Sequence, residues 1–177
     1  WYKPCYVDPV SQGTRCHQLG MYVIFESPFN MLCDSPQHYE EEKECTEFIA
    51  KIPTVWEETL AIDGKVGEYI VMARRSGDEW YVGAMTDWSA RELVLDLGFL
   101  PEGEYNVVVY KDGVNAHRIA SDYKKEEISL PSDRRLAAIM APGGGFVAKI
   151  VKKCMNLRKS VATGCFFCDN IDNCEIL

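Results

Sequence analysis

Cationic charge is scarce in this sequence: 19 Lys and Arg stand against 27 Asp and Glu, a formal charge of −8. Binding a polyanion requires clustered Lys and Arg that displace its counterions, so nucleic acid is not an expected partner. A neutral or polar ligand is the expectation. Long apolar runs are also missing. None reaches the roughly 18–20 residues needed to cross a bilayer, so no membrane span is predicted. Trp1 leads straight into Tyr2-Lys3-Pro4 without a charged stretch followed by an apolar one, and no signal peptide is read. Histidine is limited to His17, His38 and His117, which form no paired motif and are too scattered for a metal triad.

Cysteine is unevenly spread. There is none from Tyr69 to Lys153, whereas Cys154, Cys165, Cys168 and Cys174 crowd the end of the chain. The pattern does not describe one uniform disulfide framework. Cys16, Cys33 and Cys45 sit among helix-like residues, where a free thiol is expected to serve as a small buried hydrophobe. The four late cysteines leave zinc ligation or a redox pair open, but their spacing fits no zinc module and an irregular tail is expected.

What is present divides into three regions: 1–53, 54–153 and 154–177. From Gly13 to about Ile52 the apolar period is helical. Thr14 can cap a run in which Leu19, Tyr22, Val23 and Phe25 share a face, and Pro28 should end that helix near Glu26. A second helix is predicted from Ser35 or Pro36 through Ile49. Its run of Glu40, Glu41, Glu42 and Glu44 should favour the N-terminal half of the helix dipole and form a solvated face.

After Pro53 the period becomes two. Strands are predicted at 55–62, 68–75, 79–86, 91–97, 104–110, 124–130, 135–141 and 146–152, separated by Asp63-Gly64, Ser76-Gly77, Asp112-Gly113 and Gly143-Gly144-Gly145. Leu93, Leu95 and Leu97 alternate with Glu92 and Asp96, so each strand should bury one face and wet the other, which favours antiparallel pairing. The fold class is therefore mostly β: an antiparallel two-layer sandwich preceded by a short helical segment, with Leu93, Leu95, Leu97, Val107 and Val109 inward.

Chemistry-bearing motifs are few. Gly143-Gly144-Gly145 has no following Lys-Ser or Lys-Thr and leads into a strand, so it reads as a turn rather than a phosphate cradle. Trp56, Trp80, Tyr81, Trp88 and Tyr105 would make a sugar-stacking platform if exposed, but aromatic residues on strands more often pack between sheets.

Longer blocks carry a resemblance. The segment from Ser11 through Pro28, with Met31-Leu32-Cys33-Asp34-Ser35-Pro36, is similar to the last helical part of the catalytic barrel of glycoside hydrolase family 97. Pro53 through Thr59, Asp63 through Tyr69, Ala73-Arg74-Arg75 and Trp80 through Trp88 continue the match. Tyr110-Lys111-Asp112-Gly113, Ser121-Asp122-Tyr123 and Ala141 through Phe146 follow in the family order. Trp1 to Asp8 and the residues after Lys153 depart from it.

The resemblance implies a parent enzyme with an N-terminal β-sandwich, a (β/α)8 barrel and this C-terminal sandwich. That parent would be a periplasmic, calcium-dependent hydrolase of terminal α-glucosides or α-galactosides in oligosaccharides. The family's catalytic and calcium-binding carboxylates precede Ser11, so no residue here is assigned a catalytic, cofactor-binding or metal-binding role. The chain alone is expected to be inactive, and calcium is expected in the parent only. Its implied partners are the rest of the barrel, the N-terminal domain and a possible second copy, with the oligosaccharide belonging to the parent. A stand-alone module for carbohydrate or protein binding is the alternative. The apolar residues of 14–50 should lack the barrel strands they were built for and be left to the sandwich or another copy.

Overall fold

A computed structural model describes residues 12–26 and 35–153. Trp1 to Asp8, Met31, Leu32, Cys33 and the four late cysteines lie outside the described residues.

The strand periodicity is realised in all eight places: β1 (Glu58–Lys65), β2 (Tyr69–Ser76), β3 (Glu79–Thr86), β4 (Arg91–Asp96), β5 (Tyr105–Asp112), β6 (Tyr123–Ser129), β7 (Arg135–Met140) and β8 (Gly145–Lys152). All pairings are antiparallel. Six strands form one sheet in the order β1-β2-β3-β8-β5-β6, and β4 and β7 form a second. The first strand begins later than expected and runs through Asp63-Gly64. A register shift between Ala61 and Asp63 carries the pairing past that dipeptide, so the reversal falls at Gly67, whose φ is 80°. Gly67 suits it because a left-handed φ costs glycine little.

One core lies between the sheets. Trp80, Leu95, Leu97, Tyr105, Val107, Val109 and Phe146 are buried there, and Leu93 packs against them partly buried. The inward assignment of Leu93, Leu95, Leu97, Val107 and Val109 holds. A second core lies on the other face of the large sheet, where Cys16, Leu19 and Val23 meet Tyr81, Tyr110, Val147, Cys45 and Phe48.

That second core corrects one expectation and decides another. β3 does not alternate, since Trp80 through Ala84 are all buried, because helix α1 (Arg15–Ile24) covers its outer face. Leu19 and Val23, at 2% and 0% exposure, find their partners inside the chain, and Phe25 alone of the helical set named above is well exposed among the described residues. Of the two partners expected for these residues, the sandwich or another copy, the sandwich covers Leu19 and Val23.

The second predicted helix is two: α2 (Pro36–Glu41) and α3 (Lys43–Lys51), broken at Glu42, whose φ and ψ of −99° and 46° leave the helical region. The Thr46 hydroxyl bridges the break, 2.8 Å from the Tyr39 carbonyl and 3.1 Å from that of Glu42. Glu40 and Glu41 consequently sit at the C-terminal end of α2, where the helix dipole opposes them. Nor is the run only a solvated face. Glu42 pairs with Arg15, and Glu44 accepts from the Tyr123 hydroxyl at 2.7 Å. Half of the run ties the helices to α1 and to the sheet.

Candidate functional site: the seam between helix and sheet

The polar chemistry of the described residues gathers where α1 meets the large sheet. Thr14 caps the helix as expected, accepting from the His17 amide at 3.1 Å. Its own amide donates to the Gly143 carbonyl at 3.0 Å, and the Arg15 amide donates to Ala120 at 2.8 Å. Nδ1 of His17 lies 3.1 Å from the Gly144 carbonyl; a carbonyl only accepts, so Nδ1 carries the proton.

The glycine run is a turn, and two of its members have separate physical reasons. Gly143 has φ 64°, and a Cβ there would stand 2.6 Å from the Trp88 ring. At Gly144 a Cβ would meet Asp112 Oδ2 at 2.0 Å. That carboxylate oxygen accepts from the amides of Ala141 at 2.9 Å and Gly145 at 3.1 Å, so Asp112 of β5 pins the turn from inside. Its other oxygen, Oδ1, is buried without a hydrogen-bond partner. Burial pushes the Asp112 carboxyl above its ordinary value, against the opposing influence of Thr14, the two amides and Cys16. The Cys16 thiol beside it is also pushed up, chiefly by burial and then by the Asp112 charge. Cys16 and Cys45 are buried free thiols, as read from the sequence, and nothing activates either as a nucleophile.

At the other end of α1 the cap is a cation. Arg74 of β2 is 2% exposed and donates to the carbonyls of Ile24 at 2.9 Å and Phe25 at 3.1 Å. A guanidinium at a helix C-terminus satisfies orphan carbonyls and meets the negative end of the dipole. Burial lowers its pKa from the ordinary value, with Glu26 opposing, and its Nε has no partner. Trp56 lies over the guanidinium at 5.8 Å and packs on Tyr81, with ring centroids 5.4 Å apart. Arg74 and Asp112 carried no role in the sequence reading. Arg74 stands within strand-like apolar sequence, where an ionisable side chain reads as solvent-facing until a helix is known to cover that face, whereas Asp112 reads with Gly113 as a turn and β5 in fact runs through it.

The aromatic set separates. Trp80, Tyr81 and Tyr105 are buried, Trp56 is half-buried, and Trp88 is 69% exposed. The five do not form a platform. Trp88 instead edges a cleft of about 160 Å3 lined by Gln12, Gly13, His17, Thr86, Asp87 and Gly143. A wider cleft of about 440 Å3 shares His17, Thr86 and Asp87 and runs along Val66, Tyr69 and Met85. The acidic groups here have partners: Glu68 accepts from Arg91 at 2.9 Å, and Asp87 accepts from the Ser89 amide at 2.9 Å and lies 3.5 Å from Arg91.

His17, His38 and His117 are not brought together with other ligands: among the described residues no group of three or more His, Cys, Asp or Glu side chains could hold a metal ion. No described helix is long and apolar enough to cross a membrane.

Comparison with known proteins places this geometry. A family profile described as "Glycosyl-hydrolase 97 C-terminal, oligomerisation" matches residues 55–151. The chain is 59% identical over 149 residues to a retaining alpha-galactosidase of Bacteroides thetaiotaomicron, covering 84% of the chain and 22% of that enzyme. Among solved structures, a glycoside hydrolase family 97 enzyme from Pseudoalteromonas sp. strain K8, in complex with acarbose, superposes with a TM-score of 0.77. The identity is 33%, over 82% of this chain and 24% of that one. A beta-arabinopyranosidase superposes at 0.68 with 26% identity, over 80% and 22% of the two chains. The chain thus spans about a quarter or less of these relatives. The profile covers more than half of the chain, which therefore belongs to glycoside hydrolase family 97 and carries its C-terminal domain.

Proposed function

We propose that this chain is the C-terminal portion of a longer retaining α-glycosidase, acting on terminal α-galactosides in preference to α-glucosides, and that its own role is to brace the catalytic domain and assemble copies of the enzyme. The single observation that carries the bracing role is the seam. Helix α1, whose sequence resembles the end of the catalytic barrel, is capped by Arg74 at one end and held by Gly143 and Ala120 at the other. A barrel ending in that helix would be joined to the sandwich by packing as well as by the peptide chain. Support for α-galactosides is the 59% identity to a retaining alpha-galactosidase, and support for assembly is the family description.

No cluster of His, Cys, Asp or Glu among the described residues could hold a metal ion, and this reading assigns calcium to the rest of the parent. Its dependence on calcium and its periplasmic location rest on family likeness alone. The test is an assay of the purified chain with aryl α-galactosides and α-glucosides in the presence of calcium. No sugar release above a no-protein control is expected. Turnover that disappears when a carboxylate of this chain is replaced would sink the proposal.

A stand-alone carbohydrate-binding module is the second reading, and the exposed Trp88 favours it. A single indole gives one stacking surface. Titration with α-linked oligosaccharides, followed by tryptophan fluorescence, separates the two: saturable quenching lost in Trp88→Ala would establish the module.

A further inference from the structure

We propose that the face formed by Trp88, Val66 and the mouth of the His17 cleft is the seat of the parent's catalytic part, the polypeptide that precedes Gln12 in the longer family members. The inference rests on the reading above and names the surface that reading requires.

Trp88 is exposed without being loose. Its ring lies against Gly143, where a Cβ would collide with it. The Gly143 amide in turn donates to the Asp87 carbonyl at 2.6 Å, and its carbonyl accepts from Thr14. An indole held in place before binding loses little freedom on contact, and tryptophan is among the residue types that most often dominate protein interfaces. The ring is not alone. Val66, fully exposed at the β1–β2 reversal, lines the wider cleft with Tyr69 and Met85, and that cleft meets the one beside Trp88 at His17.

Charge narrows the occupant. Among the described lining residues Glu68 pairs with Lys65 and Arg91, and Asp87 lies 3.5 Å from Arg91, so the charges of this face are matched within it. Nδ1 of His17 donates to the Gly144 carbonyl and fixes the ring at the mouth of the cleft. A neutral apolar protein surface suits it.

Position selects which protein surface. Gln12 lines the cleft beside Trp88, and the matched family unit is C-terminal in enzymes of which this chain spans 22% to 24%. In those enzymes the preceding polypeptide therefore arrives at the rim of this face. Covalent attachment raises its effective concentration there, so a patch of modest area is enough to hold it.

The experiment is hydroxyl-radical footprinting read by mass spectrometry, on the isolated chain and on the complete polypeptide purified from its native source. In the isolated chain Trp88 should oxidise fast and the buried Trp80 slowly. In the complete polypeptide Trp88 should fall at least tenfold, toward Trp80, and stay protected on dilution. Equal Trp88 reactivity in both samples overturns the seat while leaving the fragment reading intact. Protection that disappears on dilution overturns it in favour of a second copy. A native polypeptide of only 177 residues overturns the fragment reading itself, an outcome visible in the intact mass.

Discussion

Gly20 of α1 and Gly83 of β3 face each other across the seam: a Cβ built on Gly83 would stand 3.1 Å from the Gly20 carbonyl oxygen and 2.9 Å from Cβ of Val23. Two missing side chains let a helix lie directly on a strand. Gly83→Ala should destabilise the chain by about 1–3 kcal/mol, the usual cost of overfilling a packed core. Gly20→Ala should cost less, because its nearest contact is a single backbone oxygen at 3.1 Å. Thermal unfolding of both variants checks the order, and equal effects would show that the seam can slide.

Arg74 should resist conservative replacement. Its two carbonyl bonds come from one planar fork, which a lysine ammonium does not reproduce. Both Arg74→Lys and Arg74→Ala are expected to lose about 1.5–3 kcal/mol, the range for hydrogen bonds to charged groups. Hydrogen exchange should localise the loss to α1, with faster exchange in its last turn than in β3.

The Asp112 carboxyl makes stability depend on pH with a definite sign. Burial raises its folded-state pKa, so between the unfolded and folded values the native chain binds the proton more tightly than the unfolded chain does. The native state therefore gains from this group as pH falls through that window and loses as pH rises through the folded pKa. Asp112→Asn removes the titration and keeps an oxygen for the Ala141 and Gly145 amides. Relative to Asn, the wild type should become less stable on going from acid to neutral pH, by about 1.4 kcal/mol for each unit of upward shift. Denaturant unfolding of both proteins across that range is the measurement, and a difference independent of pH would refute the assignment.

Trp80 and Trp88, eight residues apart, should behave as opposites in the isolated chain. Trp80 is 5% exposed and packs on Phe99 with ring centroids 4.7 Å apart. Its replacement by Ala is expected to cost about 3–5 kcal/mol. Trp88→Ala should stay within about 0.5 kcal/mol, as for exposed positions generally. Chemical denaturation of the two variants decides it, and a large loss at Trp88 would mean that its contact with Gly143 stabilises the fold.

Local sequence determined the strands. Period-two alternation bounded by Gly and Asp located all eight, the Leu93-Leu95-Leu97 row identified the face that the smaller sheet turns toward the larger one, and Thr14 marked the start of α1. Each signal lies within a few residues, where backbone sterics and side-chain alternation act without reference to the rest of the chain. Whether the outer face of the large sheet is wet or covered depends on a helix some sixty residues away from β3, and no local pattern records that distance. Tertiary packing decided that β3 is buried on both faces, that Arg74 and Asp112 turn inward, and that the glutamate run breaks at Glu42 to reach Arg15. It also left Trp88 outside while burying Trp80, because a side chain's burial depends on what the whole fold brings against it.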